Sequence, residues 1–202
     1  MKVLLFICAL MHCSTLVFAQ DYVLTVNGSS QQLDLNEETQ IVLSDGMTLN
    51  VILTQQEFLS FESDSFRFKH HNAYKPSRTD LGDGILQTMF ATPTGTGILV
   101  QEYDSMNPSG LIDLMLHELS KEEIEYGYSY EERPIKRKAG GMTFIGKEAV
   151  TSYKGDEWTR QALSAGTKDQ GLLVITFIEK SNYVKESDVI DKMWETLEVL
   201  DR

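Results

Sequence analysis

The chain has 202 residues, 42% of them hydrophobic and 24% charged, with a formal net charge of −12. The apolar fraction is that of a packed domain and excludes a disordered chain. Two cysteines exclude a disulfide-stapled miniprotein, and the acidic balance excludes a nucleic-acid surface, which needs clustered Lys and Arg against phosphate.

The first residues read as an address. Lys2 precedes the apolar run Val3-Leu4-Leu5-Phe6-Ile7-Cys8-Ala9-Leu10, and Leu16-Val17-Phe18-Ala19 places small side chains where a signal peptidase accepts them. This order predicts a cleaved secretory signal over 1–19 and a periplasmic or extracellular protein. His12, Ser14 and Thr15 interrupt the run, which falls short of the about 20 apolar residues of a membrane span. No transmembrane segment is expected in the mature chain. His12 before Cys13 also disfavours lipid attachment. Cleavage removes both cysteines, Cys8 and Cys13, and Lys2, one of the 18 basic residues that face 30 acidic ones.

Residues 20–56 read as an N-terminal β extension of short strands. A strand over 22–26 runs into Asn27-Gly28, a hairpin signal. Strands over 39–43 and 47–53 flank the turn Ser44-Asp45-Gly46. Leu49, Val51 and Leu53 share one face of the second.

Residues 57–202 read as one α+β domain. Phe-rich strands over 58–61 and 66–69 open it. Strands over 84–91 and 97–103 are joined by Thr92-Pro93-Thr94-Gly95-Thr96, a hairpin loop. Asn107-Pro108 opens a helix, Asn as N-cap and Pro at the first position. Leu111, Ile112, Met115, Leu116 and Leu119 share its apolar face. Ser120 with Glu123 makes a capping-box pattern that predicts a break there, and Gly127 stops the helix.

Beyond it the chain alternates strand and turn. The strand over 128–138 contains Pro134, which places it at an edge. Gly146 inside the strand over 142–153 predicts a bulge. Strands over 158–165 and 172–178 follow, the latter apolar almost throughout, as for a strand covered on both faces. A last helix over 187–200 starts at Ser187 as N-cap and carries Val189, Ile190, Met193, Trp194, Leu197 and Leu200 in one arc. Two helices and about seven strands in meander order predict a mainly antiparallel sheet flanked by helices.

Familiar chemistry is scarce. The mature chain has no cysteine nucleophile and no Gly-x-Ser-x-Gly elbow. Gly95-Thr96-Gly97 lacks the Lys-Ser/Thr ending of a phosphate loop. His70 and His71 are neighbours in a strand and point to opposite faces, which disfavours joint chelation and reads as an exposed strand end. His117 lies opposite the apolar centre of its helix. Asp80-Leu81-Gly82-Asp83-Gly84 has carboxylates for Ca²⁺ but not the EF-hand spacing, and reads as a turn. No catalytic residue, metal site or cofactor is assigned.

Two surface features stand out. Tyr126, Tyr128 and Tyr130 alternate around Gly127, and in an extended segment their rings stand on one face. Tyrosine anchors many interfaces. The run Arg133-Pro134-Ile135-Lys136-Arg137-Lys138 then reverses the charge of the acidic stretch before it. The candidate binding residues are Tyr126, Tyr128 and Tyr130 with Arg133, Lys136 and Lys138.

The order of elements over 57–201, with Gly141-Met142-Thr143-Phe144-Ile145-Gly146-Lys147-Glu148-Ala149, Gly171-Leu172-Leu173-Val174-Ile175-Thr176 and Trp194 in the last helix, resembles the Mog1/PsbP-like α/β/α sandwich family and its small exported bacterial members. The resemblance implies a non-catalytic role. Photosystem-associated members bind metal and protein partners, and a nuclear-transport member binds a GTPase. The expected function is an exported binding or assembly accessory of the cell envelope or periplasm with a protein partner. The alternatives are a hydrolase joining His70 or His117 to carboxylates, and a carrier holding a small ligand between sheet and helix.

Overall fold

The computed structural model describes residues 22–200, so the expected signal lies outside the described residues. The described residues divide into two compact units, one ending at Gln55 and the other beginning at Gln56.

The first unit holds two hairpins. Strands β1 (Tyr22–Val26) and β2 (Ser29–Leu33) pair antiparallel. Asn27 at φ 49° and Gly28 at φ 83° are both left-handed, as a two-residue hairpin turn of the primed type demands. Strands β3 (Glu38–Val42) and β4 (Thr48–Ile52) pair likewise. The Asp45 carboxylate accepts the Met47 N–H at 2.9 Å and fixes their turn.

The second unit is built on a seven-stranded sheet. Its strands are β7 (Ser77–Gly82), β8 (Ile85–Ala91), β9 (Gly97–Tyr103), β10 (Ser129–Ala139), β11 (Met142–Tyr153), β12 (Asp156–Gly166) and β13 (Gly171–Glu179), in the order β10-β11-β12-β13-β9-β8-β7. Every neighbour is antiparallel. Two meanders thus meet at a central seam between β9 and β13. Strand β10 lies at an edge, as Pro134 predicts. Strand β7 was not expected: its sequence, Ser-Arg-Thr-Asp-Leu-Gly, has no apolar alternation, and all six residues are exposed at the opposite edge. Asp80, expected in a turn, lies in this strand, beside a register shift at Asp80/Gly82. A smaller sheet comprises β5 (Phe58–Glu62), β6 (Phe66–His71) and β14 (Glu198–Val199), with β6 in the middle.

Helix α1 (Ile112–Tyr126) follows a single 3₁₀ turn, Pro108–Leu111. The Asn107 Oδ1 accepts the Ser109 N–H at 2.9 Å, and left-handed Gly127 donates back to the carbonyls of Glu123 and Ile124. The expected break at Ser120 does not occur. Ser120 is fully buried and its hydroxyl has no partner, so tertiary packing overrides the local cap. The buried residues are Ile112, Leu116 and Ser120, a narrower stripe than predicted, and Leu119 is exposed. Helix α2 (Tyr183–Thr196) starts four residues before the expected Ser187, which lies inside it. Asn182 occupies the N-cap position. Leu197 turns extended and the chain returns to the small sheet, where Val199 pairs with Phe66.

Alternation along β13 distributes the core. Leu172, Val174 and Ile178 face one side with Phe66 and Phe68 of β6 and Ile190, Met193 and Trp194 of α2. Leu173 and Ile175 face the other with Ile112 and Leu116 of α1. Residue period 2 in a strand covered twice produces this division. Gly146 makes no bulge, since both flanking ladders run through it in register. A Cβ there would collide with the Ala162 carbonyl, with Leu163 Cα only 2.7 Å away, so the glycine permits close strand approach.

Candidate functional site

The three alternating tyrosines do not form one stripe. Tyr126 closes α1, Tyr128 follows the Gly127 stop, and only Tyr130 lies in β10. The stop signal at Gly127 rules out the single extended segment that the alternation assumed. Tyr126 and Tyr128 instead meet Tyr153 at the end of β11. The ring centroids are 6.1 Å apart for Tyr126–Tyr128, 5.5 Å for Tyr126–Tyr153 and 5.3 Å for Tyr128–Tyr153. Tyr126 is 71% exposed, and Lys154 Nζ stands 4.9 Å from the Tyr153 ring centre. Desolvation raises the pKa of the Tyr128 phenol, and the nearby carboxylates of Asp156, Glu123 and Glu179 add to it. Sequence reading missed Tyr153 because it is 25 residues away and joins through strand pairing.

Tyr130 turns to the α1 side, where it packs on the core. Its hydroxyl donates to Glu132 Oε1 at 2.5 Å. Burial, then that hydrogen bond, pushes its pKa up. Glu132 is held below the usual carboxylate range by the Tyr130 and Lys147 hydrogen bonds. Lys147 Nζ lies 2.8 Å from Asp113 and 2.9 Å from Glu132, tying α1 to the sheet.

The basic run splits by strand alternation. Arg133, Ile135 and Arg137 face α2, and Lys136 and Lys138 face the other way. Arg133, Lys136 and Lys138 therefore do not form one patch. Arg137, left out of the candidates, is the residue that shares a face with Arg133.

On that face one row of the sheet is polar. Arg133, Glu148, Gln161 and Thr176 stand directly opposite one another across β10, β11, β12 and β13. The next row, Ile135, Gly146, Leu163 and Val174, has no polar side chain. Glu148 is 7% exposed. It accepts Arg133 Nε at 2.7 Å on one oxygen and Gln161 Nε2 at 2.8 Å on the other. Arg137 Nη1 lies 3.8 Å from Asp191 of α2, and its guanidinium covers the Trp194 ring at 5.1 Å. The row floors a groove of about 240 Å³ between the sheet and α2, walled on the helix side by Tyr183, Ser187 and Asp191.

The other candidates scatter. His70 is 5% exposed and packs between Phe68 and Phe90, a correction to the exposed strand end expected there. His117 is exposed on α1. Asp64, Asp80, Asp83, Glu102 and Asp104 line an acidic hollow, where Glu102 accepts the Ser65 hydroxyl at 2.6 Å and pairs with Arg78 at 3.3 Å. Among the described residues no group of three or more potential ligands is placed to hold a metal ion. No helix among them is long and apolar enough to cross a membrane.

No family model and no curated protein matches the chain. Among solved structures it is similar to a protein from Bacteroides thetaiotaomicron VPI-5482, with a TM-score of 0.45 and 13% sequence identity over 73% of this chain and 50% of that one. The chain spans half the length of that protein.

Proposed function

We propose that the protein is an exported, non-enzymatic binding or assembly accessory of the cell envelope or periplasm, and that it docks a protein partner at the Tyr126–Tyr128–Tyr153 corner. The observation that carries this reading is the aromatic trio itself, with one ring 71% exposed and carboxylates around it. Tyrosines supply large, stiff contact area with a polar tip. The surrounding acidity complements a partner surface bearing Lys or Arg. Lys154 over Tyr153 already uses the geometry that a partner's cation would adopt over Tyr126. The N-terminal signal pattern supports export. The division of the core between α1 on one sheet face and α2 on the other supports an α/β/α sandwich of the Mog1/PsbP type. The hydrolase alternative gains no such support at His70, which lies between the Phe68 and Phe90 rings.

The test is affinity capture from the native envelope fraction with wild type, the Tyr126→Ala/Tyr128→Ala double variant and Leu114→Ala, an exposed α1 control. A partner that is retained by wild type and Leu114→Ala, lost by the double variant and released by salt supports the reading. An identical set of captured proteins from all three chains ends it.

A further inference from the structure

We propose that the groove between α2 and the polar row of the sheet binds a small hydroxylated carboxylate, of the sugar-acid class. Its two guanidinium groups are held in place yet retain unused donors. Arg133 is anchored through Nε and Nη2 on Glu148, which leaves the Nη1 donors unused. Arg137 stands over the Trp194 ring, and its guanidinium makes no hydrogen bond among the described residues, only the long ion pair with Asp191 at 3.8 Å. A planar fork held only by a long ion pair and an aromatic ring keeps its donors for a carboxylate taken up bidentately.

The acceptors are equally specific. Gln161 spends its amide N–H on Glu148, so its carbonyl oxygen remains for a ligand hydroxyl. Asp191, Ser187 and Tyr183 line the helix wall. Glu148, by contrast, has both oxygens engaged by Arg133 and Gln161, so its charge is already paired, while the Arg137 guanidinium, 3.8 Å from Asp191, keeps its hydrogen-bond donors. One cationic fork beside several hydroxyl-binding groups describes a polyhydroxy acid better than a bare anion or an apolar molecule. The volume of about 240 Å³ equals about eight waters at ~30 Å³ each, the scale of one sugar ring.

The test is calorimetric titration of the full mature chain with D-glucuronate, D-glucose and sulfate as probes. The expected result is saturable glucuronate binding, with glucose and sulfate at least tenfold weaker. Arg137→Gln should weaken glucuronate at least tenfold, and Lys136→Gln, in the same basic run but on the opposite face, should leave it unchanged. Ser187→Ala, on a partly exposed helix position, gives a second reading should Arg137→Gln not fold, and should weaken glucuronate severalfold. No glucuronate binding, equal affinity for glucose or sulfate, or an equal loss with Lys136→Gln overturns the proposal. Such a failure leaves the partner reading untouched, since the groove and the tyrosine corner share no residue.

Discussion

Glu123, in the last turns of α1, receives both arms of the Arg160 guanidinium from β12. The distances are 2.8 Å to Oε2 and 2.5 Å to Oε1. Thr151 of β11 donates to the same carboxylate at 2.5 Å and accepts Arg160 Nη1 at 3.1 Å. Arg160 is 8% exposed, so the pair joins helix to sheet where water is scarce. Glu123→Ala leaves a buried guanidinium without its counter-charge and should cost about 3 kcal/mol in urea unfolding. The Glu123→Ala/Arg160→Met double variant should recover most of that loss, because no unpaired charge remains.

The Tyr130–Glu132 hydrogen bond sets a pH window. Glu132 is depressed below its ordinary 4.5, so its contribution is present above that value and disappears as pH falls through the depressed one. Tyr130 is raised above its ordinary 10.0, so its contribution is present below that value and disappears as pH rises through the raised one. Stability should therefore hold between these limits and fall outside them. Tyr130→Phe should flatten both flanks when urea midpoints are followed from about pH 3 to about pH 11.

Gly146→Ala tests close strand approach. The new Cβ has backbone on its far side, not a flexible side chain, so the β11–β12 ladder must yield. A loss of about 1–3 kcal/mol is expected, with faster amide exchange at Leu163 and Ala162. A neutral result would show that the strands relax at no cost.

Phe144 is fully buried and meets the Trp194 ring edge-on, at 5.3 Å and 78°. Phe144→Ala should cost about 3–5 kcal/mol. It should also change Trp194 fluorescence at once, before unfolding begins, because the indole loses its edge contact.

Much of the fold is written in local signals. Asn27-Gly28, Asn107-Pro108 and Gly127 name their turn, start and stop because each relies on backbone geometry that few residues allow. Pro134 names an edge strand for the same reason. The misreadings share a different cause. Ser120 and Gly146 carry local signals that long-range packing overrules, the first by burial against the sheet and the second by a neighbouring strand. Strand β7 has no periodic signal, since an edge with every residue exposed needs none. At the candidate sites, Tyr126 and Tyr128 were legible from composition. Tyr153 and Arg137 were not, because which side chains share a face depends on strand pairing and on where a helix stops.

The seam between β9 and β13 divides the assembly of the second unit in time. Each meander can zip outward from its own turns through contacts close in sequence. The seam cannot: Tyr103 pairs with Gly171 and Gly97 with Phe177, and the whole stretch 104–170 must be looped out or folded before they meet. Closure of so long a loop costs entropy before any pairing rewards it, and it slows folding. Strand β9 is buried at every residue and β13 at most of them. Two of the most buried strands are therefore the ones whose second edge waits longest for a partner, and the half-assembled sheet is the species most exposed to aggregation.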